Sequence, residues 1–137
     1  MYTHRLPDVH RVLDENGNTP LHAVTAVDAD VGLGLVDALL ERGANPNVHG
    51  SYMMTPLHMA VCMGFSSVAQ RLLRGGADPR VLDVDGRNAM HWACVKGNVL
   101  LARILREAAP EVAECKDVKG EVPMDLCAPR MKARMGE

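Results

Sequence analysis

The sequence predicts an all-α solenoid of helix-turn-helix units carrying short β-hairpin-like fingers. Three features point to it. The tetrad Thr19-Pro20-Leu21-His22 returns as Thr55-Pro56-Leu57-His58, then more weakly as Asn88-Ala89-Met90-His91 and Val122-Pro123-Met124-Asp125, at offsets of 36, 33 and 34 residues. A fixed period between about 20 and 50 residues marks a stacked-repeat architecture. Apolar residues make up 47% of the 137-residue chain but aromatics only 3%, so the core must be built from Leu, Val, Ala and Met, which let helices approach closely. Turn residues and helix starts also fall at the same point of each period.

Each unit opens on turn chemistry. Asp14-Glu15-Asn16-Gly17 and Asp83-Val84-Asp85-Gly86 place glycine where φ must be positive. Thr19, Thr55 and Asn88 then cap a first helix of about two turns, and Pro20 and Pro56 occupy its first position, where a missing N–H does no harm. Gly64 and Gly97 break it. The second helix carries an apolar stripe: Leu35, Val36, Leu39 and Leu40, then Val68, Ala69, Leu72 and Leu73, then Leu101, Ala102, Ile104 and Leu105. Gly43-Ala44 and Gly76-Ala77 end it in the first two units, and Ala108-Ala109-Pro110 in the third. Helices this short are marginal alone, so their stability must come from burial against the neighbouring unit. The expected division is a single domain over 1–137: a tail of a preceding partial repeat (1–13), repeats at 14–49, 50–82 and 83–116, and a partial C-terminal capping repeat (117–137). The tail is read from Arg11-Val12-Leu13-Asp14, which is identical to Arg80-Val81-Leu82-Asp83.

These motifs resemble the ankyrin repeat: a Gly-containing turn, T-P-L-H-x-A, two antiparallel helices and G-A-D-x-N. The match is carried by residues 17–23, by Gly43-Ala44-Asn45-Pro46-Asn47, by residues 55–60, and by Gly76-Ala77-Asp78-Pro79; the third unit keeps Asp83, Gly86, His91, Ala93 and Gly97. The resemblance runs from about residue 9 to residue 127 and implies a hook-shaped stack of fingers and helix pairs that binds other proteins. Departures carry their own expectations. Three extra residues around Asp28-Ala29-Asp30 predict a longer inter-helix loop, with Asp30 capping the second helix. Met53 replaces the finger glycine, so that finger should be distorted or unusually apolar. Val122 cannot cap with its side chain, and Asp125 replaces the histidine. Met131 and Met135, with Arg130, Lys132 and Arg134 on other faces, could form one amphipathic capping turn.

The candidate site is the finger of the second unit. Gly50-Ser51-Tyr52-Met53-Met54 puts an aromatic and two thioethers on a turn, where polar residues are usual. Tyr and Met are enriched at interfaces. Val27, Met63, Val95 and Lys96 fall near the ends of the first helices, and Asn18, Arg87 and Glu121 occupy the corresponding finger position elsewhere as a polar rim. Catalytic and metal readings are weaker. His22, His58 and His91 occur one per repeat, so they form rungs about 8–10 Å apart and cannot share an ion; each is read as bonding backbone between finger and helix. His58 with Cys62, and His91 with Cys94, offer two ligands or a nucleophile–base pair, but nothing completes either. Gly32-Leu33-Gly34 lacks the third glycine of a dinucleotide turn, though its glycines weaken the helix. Trp92 is read as a core or half-buried seam residue. The cysteines, Cys62, Cys94, Cys115 and Cys127, have no C-x-x-C spacing and read as small hydrophobes in a reducing compartment rather than a disulfide framework.

The expected function is a non-catalytic protein-protein interaction module that needs no cofactor. It would bind a protein or peptide through its fingers and the concave face of its inner helices. The alternative is a regulatory or targeting segment of a larger enzyme, channel or acyltransferase. A net charge of −2 argues against nucleic acid, no apolar run approaches the ~18 residues of a membrane span, and the N-terminus lacks an apolar leader. No small-molecule substrate is expected. The location expected is cytoplasmic or nuclear.

Overall fold

The computed structural model describes residues 17–25 and 29–127, together with Val12 and Glu15. Three helix pairs follow one another: α1 (Pro20–Thr25) with α2 (Ala29–Glu41), α3 (Pro56–Met63) with α4 (Ser66–Arg74), and α5 (Ala89–Val95) with α6 (Val99–Ala108). Beyond them lie two short 3₁₀ helices, Pro110–Glu114 and Pro123–Leu126. Among the described residues there is no strand and no helix long and apolar enough to cross a membrane.

The pairs stack in two rows. α1, α3, α5 and the 3₁₀ helix Pro123–Leu126 pack in succession as the inner row; α2, α4 and α6 form the outer row, with Pro110–Glu114 against α6. Each helix thus meets its own partner and its counterpart next door, the nearest-neighbour pattern of a solenoid. The core repeats with the same period. Leu21, Leu57 and Met90 share one register and are fully buried, and Ala60 and Ala93 share another, where a single methyl keeps the rows close. Helix ends follow their residues. Thr55 Oγ1 and Asn88 Oδ1 accept the N–H of His58 and His91 at 3.3 and 3.0 Å, Gly64 stops α3 in the left-handed region (φ 75°), and extended Ala109 before Pro110 ends α6.

Two expectations are corrected. Ala29 and Asp30 are already helical, which makes α2 13 residues long against 9 for α4 and 10 for α6, so Asp30 lies inside the helix and not at its cap; the inter-helix residues 26–28 lie outside the described residues. In the helix Ala29 and Asp30 have their backbone groups inside a regular element. Leu35 is not in the buried stripe either. It is 43% exposed, whereas Val68 and Leu101 in the same register are fully buried. Those two are covered by the outer helix before them, and α2 stands first in the outer row among the described residues. The tail at residues 1–13 (Val12 apart) and the capping turn at Met131 and Met135 lie outside the described residues.

Candidate functional site

Two fingers are built alike. In residues 83–87 the Asp83 N–H donates to the Arg87 carbonyl (2.9 Å) and the Gly86 N–H to the Asp83 carbonyl (3.0 Å). Asp83 Oδ1 accepts the N–H groups of Asp85 and Arg87 at 2.9 and 3.0 Å. Residues 117–121 repeat this, with Asp117 Oδ1 accepting from Lys119 and Glu121 at 2.9 Å each. Those bonds, the Glu121 N–H first, hold the Asp117 carboxyl below the usual carboxylate range. Gly86 and Gly120 supply the positive φ, 71° and 78°. Adjacent fingers are joined by Val84 N–H to the Tyr52 carbonyl and Val118 N–H to the Asp85 carbonyl, both 2.9 Å. The fingers are therefore hairpin-like turns linked edge to edge.

The finger at residues 50–54 departs from its neighbours as the sequence foretells. Gly50 stands where the others have aspartate, so no carboxylate closes the turn. The turn closes through its own backbone, Gly50 N–H to the Met54 carbonyl at 2.8 Å and Met53 N–H to the Gly50 carbonyl at 3.0 Å, and Asn18 of the preceding finger holds Ser51: its Oδ1 accepts the Ser51 N–H and its Nδ2 donates to Ser51 Oγ, both 3.0 Å. A Cβ on Gly50 would lie 2.1 Å from Asn18 Oδ1 and 2.9 Å from His22 Nε2, so no larger residue fits there. Met53 stands in the glycine position and adopts φ 58°, with Tyr52 beside it at φ 54°. Left-handed backbone costs a non-glycine residue about 1–2 kcal/mol. On this finger Tyr52 is 77% exposed and Met53 46%.

The histidines tie fingers to helices. Nδ1 of His22, His58 and His91 accepts the N–H of Thr19, Thr55 and Asn88, at 3.1 Å in each case. Nε2 then reaches the next finger, donating to the carbonyls of Met54, Arg87 and Glu121 at 2.9, 3.0 and 3.0 Å. That assignment needs a neutral ring, and burial lowers the His58 pKa accordingly. Asp125 continues only half of this, taking the Val122 N–H at 3.0 Å with no N–H of its own to pass on. Trp92 is half-buried and braces the finger of its own unit: Nε1 donates to Asp83 Oδ2 at 2.6 Å, and the Arg87 guanidinium lies 5.3 Å from the ring centroid.

The sequence-derived site falls into two groups. Tyr52 and Met53 are exposed and Met54, Arg87 and Glu121 half-buried on the fingers; Met63, Val95 and Lys96 are exposed where α3 and α5 end. A helix such as α3 separates the groups by about 10 Å at 1.5 Å per residue. Asn18 and Arg87 are engaged internally, Asn18 with Ser51 and Arg87 Nε with Asp117 Oδ2 at 3.3 Å. Val27 lies outside the described residues. Sequence reasoning passed over Val84 and Val118, the same position of successive fingers, which are 53% and 71% exposed. The signal was there: a β-branched apolar residue on a turn is the same anomaly that singled out Tyr52.

Burial pushes the Cys62 thiol up to about 11 although Lys96 is near, the wrong direction for a thiolate nucleophile. A depression of about 430 Å³ between residues 76–80 and 108–111 holds Asp78, Arg80 and Glu111, but these are already paired, Arg80 with Asp78 at 2.9 Å and with Glu111 at 3.2 Å.

A family profile described as ankyrin repeats in three copies matches residues 4–83 and 24–119. The chain is similar to the B-cell lymphoma 3 protein of Homo sapiens, 36% identical over 99 residues that cover 71% of this chain and 22% of that protein. It is also similar to neurogenic locus notch homolog protein 1 of Danio rerio, at 32% over 118 residues (84% of this chain, 5% of that protein). A third relative is the transient receptor potential cation channel subfamily A member 1 of Homo sapiens, at 37% over 103 residues (72% of this chain, 9% of that protein). The chain spans less than a quarter of the length of each of these relatives.

Proposed function

The chain belongs to the ankyrin-repeat family, whose repeats are protein-interaction modules, and on that premise we propose that it grips a partner protein or peptide across its fingers and the ends of its inner helices, without catalysis. The observation that carries the choice of surface is Tyr52, 77% exposed on a finger whose backbone is held in the left-handed region. An amphipathic aromatic on a rigid turn supplies contact area at little conformational cost. Met53 and Met54 flank it, Val84 and Val118 extend the apolar line, and Arg87 and Glu121 give it a polar edge. Met63, Val95 and Lys96 form the second contact at the helix ends. The repeat divisions at 14–49, 50–82, 83–116 and 117–137 are part of the same proposal, as are a cytoplasmic or nuclear location and the absence of nucleic-acid or small-molecule ligands.

The test uses peptides selected by surface display against the whole chain. Their affinity is measured again on a Tyr52→Ala/Met53→Ala/Met54→Ala variant. An exposed aromatic anchor predicts a loss of about tenfold or more. Unchanged affinity, with the helical circular dichroism intact, removes this surface from the proposal.

A second reading is that the chain is a regulatory or targeting segment of a larger enzyme, channel or acyltransferase. It is favoured by the small share of each relative that the chain spans, the cation channel among them. A full transcript with further coding sequence would support it; a stop and a start at the ends of this chain would dismiss it.

A further inference from the structure

The space between the two halves of the candidate surface is filled by side chains of one kind. Counted by the repeat, Met54, Met59 and Met63 of the second unit correspond to Arg87, Trp92 and Lys96 of the third, each pair 33 residues apart. Because α3 packs against α5, these six residues form two parallel columns running from the fingers to the helix ends. Met54, Met59, Arg87 and Trp92 are half-buried, and Met63 and Lys96 are exposed. Direct contacts fix the third-unit column. The Arg87 guanidinium lies 5.3 Å from the Trp92 ring centroid, and the Lys96 N–H donates to the Trp92 carbonyl at 3.0 Å, one turn further on. Trp92 Nε1 is already engaged by Asp83 Oδ2 at 2.6 Å. A partner therefore meets an oriented ring with no polar atom left to satisfy.

Charge and backbone chemistry narrow what can lie there. The inner helices α1, α3 and α5 contain no Asp, Glu, Lys or Arg. Lys96, at the C-terminal cap of α5, is the charge at their far end. Arg87 is met by Asp117 at 3.3 Å, whereas among the described residues Lys96 has no ion pair. A carboxylate on the partner is the missing complement. The furrow between two packed helices is about 8–10 Å across, close to the width of one more helix. Its walls are helices whose backbone groups are bonded internally, so an occupant must satisfy its own N–H and C=O groups. A helix does so. On the reading that the chain grips a protein partner, we propose that this furrow receives a short amphipathic helix of that partner. Its apolar face lies on Met54, Met59, Met63 and Trp92, and a carboxylate at one end meets Lys96. The methionines adapt to its side chains, and the fixed indole sets its position.

The experiment pans the whole chain against a displayed library of short helical peptides randomised along one face. Selected peptides without tryptophan are then titrated into the chain, with saturation read by the anisotropy of a labelled peptide. Trp92 is the only tryptophan, so its fluorescence reports the furrow directly and should shift to shorter wavelength at saturation. The selected helices should share an acidic residue beside their apolar face. Lys96→Glu should weaken them about tenfold, and a peptide with lysine in place of that acid should recover the loss. A lysine that only complements the α5 dipole would not produce this exchange. Met59→Ala and Met63→Val install the residues that the first unit carries at Ala23 and Val27, and together they should cost about tenfold in affinity with circular dichroism unchanged. An empty selection, binders without a common acid, or saturation with Trp92 emission unmoved would each overturn the proposal. The finger reading is judged separately: helices that shift Trp92 yet bind the Tyr52→Ala/Met53→Ala/Met54→Ala variant as tightly would sink the finger and leave the furrow standing.

Discussion

Gly50→Ala should be among the most damaging substitutions in this chain, although it adds one methyl group to a surface finger. The added Cβ lies 2.1 Å from Asn18 Oδ1 and about 3 Å from two atoms of the His22 ring, Nε2 at 2.9 Å and Cδ2 at 3.0 Å. Asn18 can swing away only by giving up both of its bonds to Ser51, each worth about 1 kcal/mol. His22 is fully buried and pinned at both ring nitrogens, to Thr19 and to the Met54 carbonyl, so its displacement adds an overpacking term of about 1 kcal/mol or more. Together these give a loss of about 3 kcal/mol. Urea denaturation followed by circular dichroism measures it. Asn18→Ala provides the internal control, because it removes the nearer collision and with it the two bonds: Gly50→Ala made in that background should cost only the His22 term, about 1 kcal/mol. If Gly50→Ala costs less than about 0.5 kcal/mol, or costs the same with and without Asn18, the finger is not held in this way.

Three further outcomes follow from the same contacts. Gly34 lies exposed within α2, and a Cβ added there would meet nothing within 4 Å, so Gly34→Ala should stabilise the chain by about 1 kcal/mol in the same urea assay; a loss would show that α2 needs the flexibility. The folded-state pKa of His58 is lowered by burial, so the unfolded chain takes up the proton first: stability is complete above the ordinary value of about 6.5 and is lost as pH falls below it. A urea midpoint that stays level from about pH 8 to pH 5 would contradict the neutral-ring assignment. With its thiol at about 11, Cys62 should react with iodoacetamide at neutral pH roughly 100-fold more slowly in the folded chain than in urea, as read by mass spectrometry; equal rates would refute its burial.

The repeat, the helix starts and stops, and the histidine ladder were all legible in the order of residues, because each is a local consequence of residue type at a fixed spacing. Thr55 before Pro56 caps a helix, and glycine at residue 86 turns a finger, whatever surrounds them. Residues 52–54 stood out in the same way, since apolar groups on a turn contradict the local rule. Which neighbour answers each group emerged only when the units were folded against one another. The fold set Asn18 against Ser51 of the next finger and left Leu35 uncovered while its register-mates vanished into the core. The physical reason is that these outcomes depend on one unit packing against the next, and packing between units is written in the relation of two distant segments and in neither of them alone.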